Sequence, residues 1–276
     1  EKFGADFLCD LGDFGLDNSA TKEREIALRR IALQKLLYAD SKTPILFALG
    51  NHDHNNGGRD VGGYITSEDW ASVFVEEMKT RGLDVVAGGN GSYYYVDFPA
   101  KKMRFIALNS SDDGYYGYSV EQLQFLADSL ASAPADYTVA IVEHFCVLFK
   151  LGYWKNSMSA KAKRDALCMG IFDAFVAGTD GEEDGVVWKF SERGKGVLTG
   201  VFHGDSHFDN FTTINGVNYI IHQGYGGVDV ALMAEGAVYR RFNRAETMLI
   251  DVVAIKTATR EVKIFRVGAG GANADR

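Results

Sequence analysis

Four short apolar runs in this chain each stop at a small polar turn, and that recurrence restricts the fold more than any other feature. The runs are Phe7-Leu8-Cys9, Ile45-Leu46-Phe47-Ala48-Leu49, Val139-Ala140-Ile141-Val142 and Val197-Leu198-Thr199-Gly200-Val201-Phe202. Downstream of them come Gly12-Asp13, Gly50-Asn51-His52-Asp53, His144 and Gly204-Asp205-Ser206-His207. Such runs read as buried strands, and open α/β sheets place their sites at the carboxyl ends of buried strands. Four strand tips thus deliver carboxylate, carboxamide and imidazole groups to what reads as a metal site.

The segments between supply helices. Residues 21 to 39 read as an amphipathic helix with Ile26, Leu33 and Leu37 on one side and Ser19 or Thr21 as its cap. A second helix runs from about Thr66 to Arg81, where Trp70, Phe74 and Met78 form a stripe that reads as core contact. Residues 93 to 98 and 103 to 108 pattern as a hairpin around Pro99-Ala100-Lys101-Lys102. Ser119-Val120-Glu121-Gln122 has the form of a capping box for a helix carrying Leu123, Leu126 and Leu130, and another helix covers 158 to 177. Strands dominate the last third, at 197 to 203, 217 to 222, 246 to 255 and 260 to 267. The expected fold class is α/β (α+β): a four-layer αββα sandwich, two mixed β-sheets packed face to face and flanked by helices. With 276 residues, 46% of them hydrophobic, and only three prolines, one domain over 1–276 is expected.

A net charge of −8 and a pI near 5.3 argue against an extended nucleic-acid-binding surface. No apolar run approaches the about 18 residues of a membrane span, so no membrane partner is expected. Cys9, Cys146 and Cys168 are odd in number and widely spaced in apolar segments, and they read as buried free thiols. Nothing in them demands an oxidising compartment, which favours the cytoplasm. The acidic turn from Gly178 to Gly185 lacks the ligand spacing and closing Glu of a calcium loop. No feature of the sequence sets an oligomeric state.

Asp13, Asn51, His144, Asp205 and His207 form a donor set suited to manganese, iron, zinc or magnesium. A carboxylate can bridge two cations, and a neutral Asn oxygen ligates without adding charge. Two ions about 3.5 to 4 Å apart lower the pKa of a bridging water and clamp the oxygens of a phosphoryl group. Metal-assisted hydrolysis is the reaction class that follows.

In order along the chain, Gly12-Asp13, Gly50-Asn51-His52-Asp53, His144 and Gly204-Asp205-Ser206-His207 resemble the motifs of the calcineurin-like metallophosphoesterases. That family's pattern runs DxH, GDxx, GNH(D/E), a lone His and GHxH. The resemblance implies two divalent ions, with Asp13 bridging both, Asn51 and His144 holding the second, and His207 the first. It implies that His52 is a hydrogen-bond donor to the phosphate and general acid to the leaving oxygen, and that Asp53 orients His52.

Two departures bear on that reading. Asp205 stands where the family has its first His: as a ligand it hardens the site and favours manganese or magnesium, and otherwise it binds nothing and the second ion is weak. His203 points to the opposite face of a regular strand. The second departure is that no DxH lies ahead of Asp13. The eleven residues before Gly12 already form a strand, in which Asp10 faces away from the site. The expectation is an N-terminally incomplete domain, with the first strand and any export signal lying ahead of Glu1.

Substrate-side candidates remain open. Arg59 either meets a phosphate oxygen through its planar fork or is a solvated loop residue. His222 ends a strand and either enters the cleft or does not. Asp17 and Asn18 read as loop caps or substrate contacts, and Tyr115, Tyr116 and Tyr118 as stacking or packing residues. Phe14-Gly15-Leu16-Asp17-Asn18 lacks the Arg of the GDxVDRG continuation found in protein phosphatases, which argues against a phosphoprotein substrate. Phe265-Arg266-Val267-Gly268-Ala269-Gly270 resembles endings of the bacterial and phage branch. The expected activity is hydrolysis of a small phosphomonoester or phosphodiester by a metal-activated water. The alternatives are a catalytically impaired relative that binds phosphate or a partner protein, and a nuclease, which the acidic balance disfavours.

Overall fold

Runs with no polar face become the middle of a seven-stranded sheet. The structure, a computed structural model, describes residues 4–13, 22–55, 62–111, 117–148, 162–205, 210–222, 249–259 and 261–268. Its strands are β1 (Leu8–Asp10), β2 (Ile45–Phe47), β3 (Val85–Gly88), β4 (Tyr93–Phe98), β5 (Met103–Ala107), β6 (Thr138–Glu143) and β7 (Gly181–Glu183). They continue with β8 (Val186–Trp188), β9 (Leu198–His203), β10 (Asn210–Ile214), β11 (Val217–Ile221), β12 (Leu249–Lys256) and β13 (Glu261–Gly268). The helices are α1 (Arg24–Gln34), α2 (Ser67–Thr80), α3 (Val120–Ala131) and α4 (Ala162–Ala177).

The large sheet has the order β10-β11-β9-β6-β5-β4-β3. Its centre, β5, β6, β9 and β11, is parallel, and the flanking pairs are antiparallel. Every residue of β5, β6 and β9 is buried, as parallel strands covered on both faces require. The period of two sorts their side chains. Ile106, Ile141 and Val201 face α3 and α4, packing with Leu123, Leu126 and Phe172. Phe105, Val142, Phe202 and Ile220 face the other way, into a core with Phe47 of β2 and Trp70, Phe74 and Met78 of α2.

The second β layer lies on that face. β1 pairs parallel with β2, and β12 pairs antiparallel with β13. Phe7 and Leu8 around β1, and Val253 and Ile255 of β12, all border the same core. With α1 and α2 outside this layer, the chain is an αββα sandwich. A groove lined by Phe7, Phe98, Met103, Phe105, Val253 and Ile255 separates β1 from β12 and leaves the second layer as two two-stranded sheets. Among the described residues no helix is long and apolar enough to cross a membrane.

The structure corrects several local expectations. In α1 the buried residues are Ala27 and Ile31, while Leu33 is 60% exposed. Ala27 and Ile31 pack into the core with α2, and Arg24 at the edge of that face donates from Nη2 to Asp69 Oδ1 of α2 at 2.6 Å. Ser19, Thr21 and the Leu37 side chain lie outside the described residues. Cys146 and Cys168 are buried free thiols, but Cys9 is exposed, since it alternates onto the face of β1 opposite Leu8, which borders the core. The acidic turn is the small hairpin β7–β8, with Asp184 in left-handed conformation at φ 51°.

Only half of the capping box at α3 forms. Ser119 Oγ accepts from the Gln122 N–H at 3.1 Å. The Gln122 side chain instead turns to Asn109, accepting from its N–H at 2.7 Å and donating to its carbonyl at 2.9 Å. The adjoining Ser110 Oγ accepts from the N–H of Phe145 at 2.9 Å, one residue beyond His144. The first turn of α3 thus holds the tip of β6 in place through the loop after β5. Gln122→Leu keeps the volume and strands two buried main-chain groups, at about 1 to 3 kcal/mol each. The urea midpoint is expected to fall accordingly, and an unchanged midpoint would show that Gln122 carries no such load.

Candidate metal centre

The site begins with two turns in contact. A Cβ on Gly12 would lie 2.5 Å from Gly50 N, and one on Gly50 would lie 2.2 Å from Asp13 N. Gly12 also has φ 93°, a region that side chains avoid. Asp10 shapes the first turn: its Oδ1 accepts from the Gly12 N–H at 2.9 Å and its Oδ2 from the Tyr38 hydroxyl at 2.8 Å. That carboxylate is committed away from the site, as expected. Asp53 ties the turns together, its Oδ2 accepting from the N–H groups of Gly50 at 2.8 Å and Asp13 at 3.1 Å. Asp13 Oδ1 in return accepts from the His52 N–H at 2.9 Å.

Four donors then converge. His144 Nε2 lies 3.1 Å from Asp13 Oδ2, 3.1 Å from Asn51 Oδ1 and 3.6 Å from Asp205 Oδ1. Ligand atoms of Asp13, His144 and Asp205 all fall within 4.8 Å of one another. Asp13 at φ 63° and Asp205 at φ 54° both occupy the left-handed region, a strained conformation that aspartate tolerates and that clusters at functional sites. His144 Nδ1 donates to the Leu11 carbonyl at 2.7 Å, which fixes the ring and turns Nε2 toward the carboxylates. The Gly204 N–H donates to the His144 carbonyl at 3.0 Å, holding the tips of β6 and β9 together.

The electrostatics follow from that geometry. Burial disfavours a charge on His144, but the charge and hydrogen bond of Asp13, with help from Asp205 and the Leu11 carbonyl, outweigh it and push the imidazole up to about 10. Burial likewise opposes ionisation of Asp13, yet His144 and His52 hold its carboxyl below the usual range. Asp53, fully buried and close to Asp13, is pushed up to about 7 against the opposing hydrogen bond from Gly50. The cluster therefore calls for positive charge at one point. Donors around a cation with bonds of about 2.1 Å sit about 3 to 4.3 Å apart, close to the spacings found here. Two carboxylates, one imidazole and one neutral carboxamide fit a hard or borderline divalent ion.

Of the residues singled out in the sequence, Asp13, Asn51, His144 and Asp205 come together. His52 stands at the mouth, its side chain 41% exposed and its Nε2 3.8 Å from Asp13 Oδ2. His207, Arg59, Asp17, Asn18, Tyr115 and Tyr116 lie outside the described residues. His203 faces α3 and α4, with Nδ1 3.1 Å from both Phe145 O and Glu143 Oε1. Tyr118 is buried on the same side, its hydroxyl donating to Glu143. His222 follows β11 and its Nδ1 lies 2.7 Å from Asp251 Oδ2.

Sequence reasoning missed three supports. They are the turn-forming role of Asp10, the main-chain bonds of Asp53, and the Arg266 bond to Asp251 beneath His222. The spacing of Asp10 and Gly12 was a readable signal for the first, since a side-chain oxygen commonly bonds the amide two residues on. The other two join distant segments and left no local mark.

No protein-family model and no curated protein matches the chain. Among solved structures, a phosphopantetheinyl hydrolase (PptH) from Mycobacterium tuberculosis is similar, at 11% identity over 79% of each chain with a TM-score of 0.41.

The raised groups set a pH dependence for the protein without metal. His144 rises from 6.5 to about 10 on folding and Asp53 from 3.8 to about 7, so the folded state binds more protons than the unfolded one across that span. The His144 contribution is complete below its unfolded value and is lost as pH climbs through its folded one, and the Asp53 contribution falls in the same direction. Thermal midpoints in EDTA are expected to decline between about pH 5 and 10, and saturating Mn²⁺ should flatten the decline. A metal-free midpoint that stays level or climbs over that range contradicts the charge assignment.

Proposed function

We propose that this chain is a metal-dependent hydrolase of phosphoric esters acting at the cluster of Asp13, Asn51, His144 and Asp205. The observation that carries the reading is the convergence of three ionisable donors from three separate strand tips within 4.8 Å of one another. The ordered resemblance to calcineurin-like metallophosphoesterase motifs supports it and supplies the reaction class. Asn51, His144 and Asp205 together with Asp13 would hold one divalent ion, and the motif resemblance implies that Asp13 with His207 would hold a second. Two carboxylates around one position favour manganese or magnesium over zinc. When bound, such ions would supply Lewis acidity to activate a water and to offset charge on the phosphoryl group.

The chain's own residues do the rest. His144 is kept in the ligating tautomer by the Leu11 carbonyl. His52, at the open side of the cluster, donates a proton to the leaving oxygen as the P–O bond breaks and water oxygen bonds to phosphorus. Asp53 keeps His52 and Asp13 in register by holding the Gly50 turn. A net charge of −8 disfavours polyanions such as nucleic acid and is compatible with a small phosphorylated molecule as the substrate.

The test is turnover of p-nitrophenyl phosphate and bis(p-nitrophenyl) phosphate by the purified protein with Mn²⁺. His52→Ala is expected to lower kcat by about 10²- to 10⁴-fold while Mn²⁺ binding, followed by titration calorimetry, stays intact. Absence of turnover with Mn²⁺, Mg²⁺, Zn²⁺ and Fe²⁺ alike, with metal still bound, would instead mark a phosphate-binding or partner-binding protein.

A further inference from the structure

One buried polar assembly lies outside the metal cluster yet at the same end of the sheet. Ile221 of β11 and Glu143 of β6 are both in register with His203 of β9, which runs between them. His222 and His144 each follow by one residue, so they stand level, two strands apart, about 9 to 10 Å by strand spacing. Each also lies two residues beyond a side chain of the core shared with the second layer, Ile220 and Val142, so both face that layer. The ring of His222 stacks on Phe202 at 5.9 Å and 19°, which places it on that face. Asp205 follows the strand between the two histidines.

The His222 ring is held with unusual firmness for a strand-end residue. Nδ1 donates to Asp251 Oδ2 at 2.7 Å, and Arg266 grips the same carboxylate through Nε at 2.8 Å and Nη2 at 2.7 Å. The side chains of His222, Asp251 and Arg266 are 12%, 6% and 13% exposed. Burial opposes the Asp251 charge, but the bonds from His222 and Arg266 overcome it and set the carboxyl at about 2, so it is an acceptor throughout the working range. With Nδ1 engaged, Nε2 is the ring nitrogen that remains for a ligand, and among the described residues no hydrogen bond to it is made. A His–Asp–Arg clamp of this kind fixes an imidazole's tautomer and aim.

We propose that His222 receives the second ester arm of a phosphodiester whose phosphoryl group sits at the metal cluster, with Asp251 and Arg266 as positioning residues. His222 is not among the residues whose ligand atoms gather within 4.8 Å of one another, so it stands beside the cluster rather than in it, where a group attached through the far ester oxygen would lie. This rests on the hydrolase reading and narrows it, naming diesters with a polar second arm as the preferred class over small monoesters.

The experiment compares two esters on the full chain with Mn²⁺: p-nitrophenyl phosphate, which has no second arm, and thymidine 5′-(p-nitrophenyl phosphate), which has a polar one. His222→Ala and Asp251→Asn are expected to lower kcat/KM for the diester by about tenfold, the worth of one lost hydrogen bond, mainly through KM. The monoester should change by less than about twofold, and His222→Gln, which can still present a polar group, should recover part of the loss. Thermal midpoints and Mn²⁺ titrations of each variant report on fold and metal cluster separately. Equal losses on both esters, or none on either, overturn the proposal while the hydrolase reading stands. Wild-type protein that binds Mn²⁺ and cleaves neither ester overturns both.

Discussion

The contact between the turns at Gly12 and Gly50 is the constraint on which the site depends. Asp13 and Asn51 can meet His144 only if the main chains that carry them touch, and a single methyl group at either glycine would intrude to 2.5 Å or less of the opposing backbone. A contact that close leaves two N–H groups facing inward with no room for water. The Asp53 carboxylate beneath accepts from both, so one buried side chain satisfies the main chain of two strands that are distant in sequence. Geometry and charge are thereby linked, because the group that fixes the turns also adds negative charge below Asp13.

That accumulation of acid is costly by itself. Buried carboxylates lose hydration and repel one another, which favours protonation of Asp53, while the negative charge of Asp13 and Asp205 favours protonation of His144 against the burial that opposes it. The left-handed conformations of Asp13 and Asp205 add strain of about 1 to 3 kcal/mol each. A fold selected for stability alone has no use for two strained aspartates aimed at one imidazole. A fold selected to hold a cation does, since a divalent ion relieves the repulsion and removes the need for the proton on His144 at once. The structural features that look unfavourable one at a time are consistent when taken as preparation for positive charge.

The central strands were readable in the sequence because β5, β6 and β9 bury every side chain and carry no polar alternation to mislead. Asp13, Asn51, His144 and Asp205 were readable because each follows soon after an apolar run, so a strand-end position was implied without knowing which strands are neighbours. The short edge strands β3 and β10 went unread: partly exposed and only four or five residues long, they offer weak periodicity. The inward face of α1 was misjudged since it is the small stripe of Ala27 and Ile31 that packs into the core, while the larger Leu33 stays exposed. The main-chain bonds of Asp53 and the role of Asp251 were missed as well. Their partners are main-chain groups or side chains across layers, and motif spacing records neither.

The layered architecture explains why four donors meet at all. Neighbouring strands of one sheet are spaced by about 4.8 Å, so four donors taken from four consecutive strand tips would be spread over about 14 Å, too far for one ion. Placing two β layers about 10 Å apart changes the problem, because side chains from opposing tips each reach halfway across. Here the large sheet supplies His144 and Asp205 from the adjacent strands β6 and β9, and the thin layer supplies Asp13 and Asn51 from the adjacent strands β1 and β2. Two pairs of neighbours facing one another give four donors around one point. The next tip along the large sheet, that of β11, carries His222, which lies on the same face beside this cluster and outside the group of converging ligand atoms.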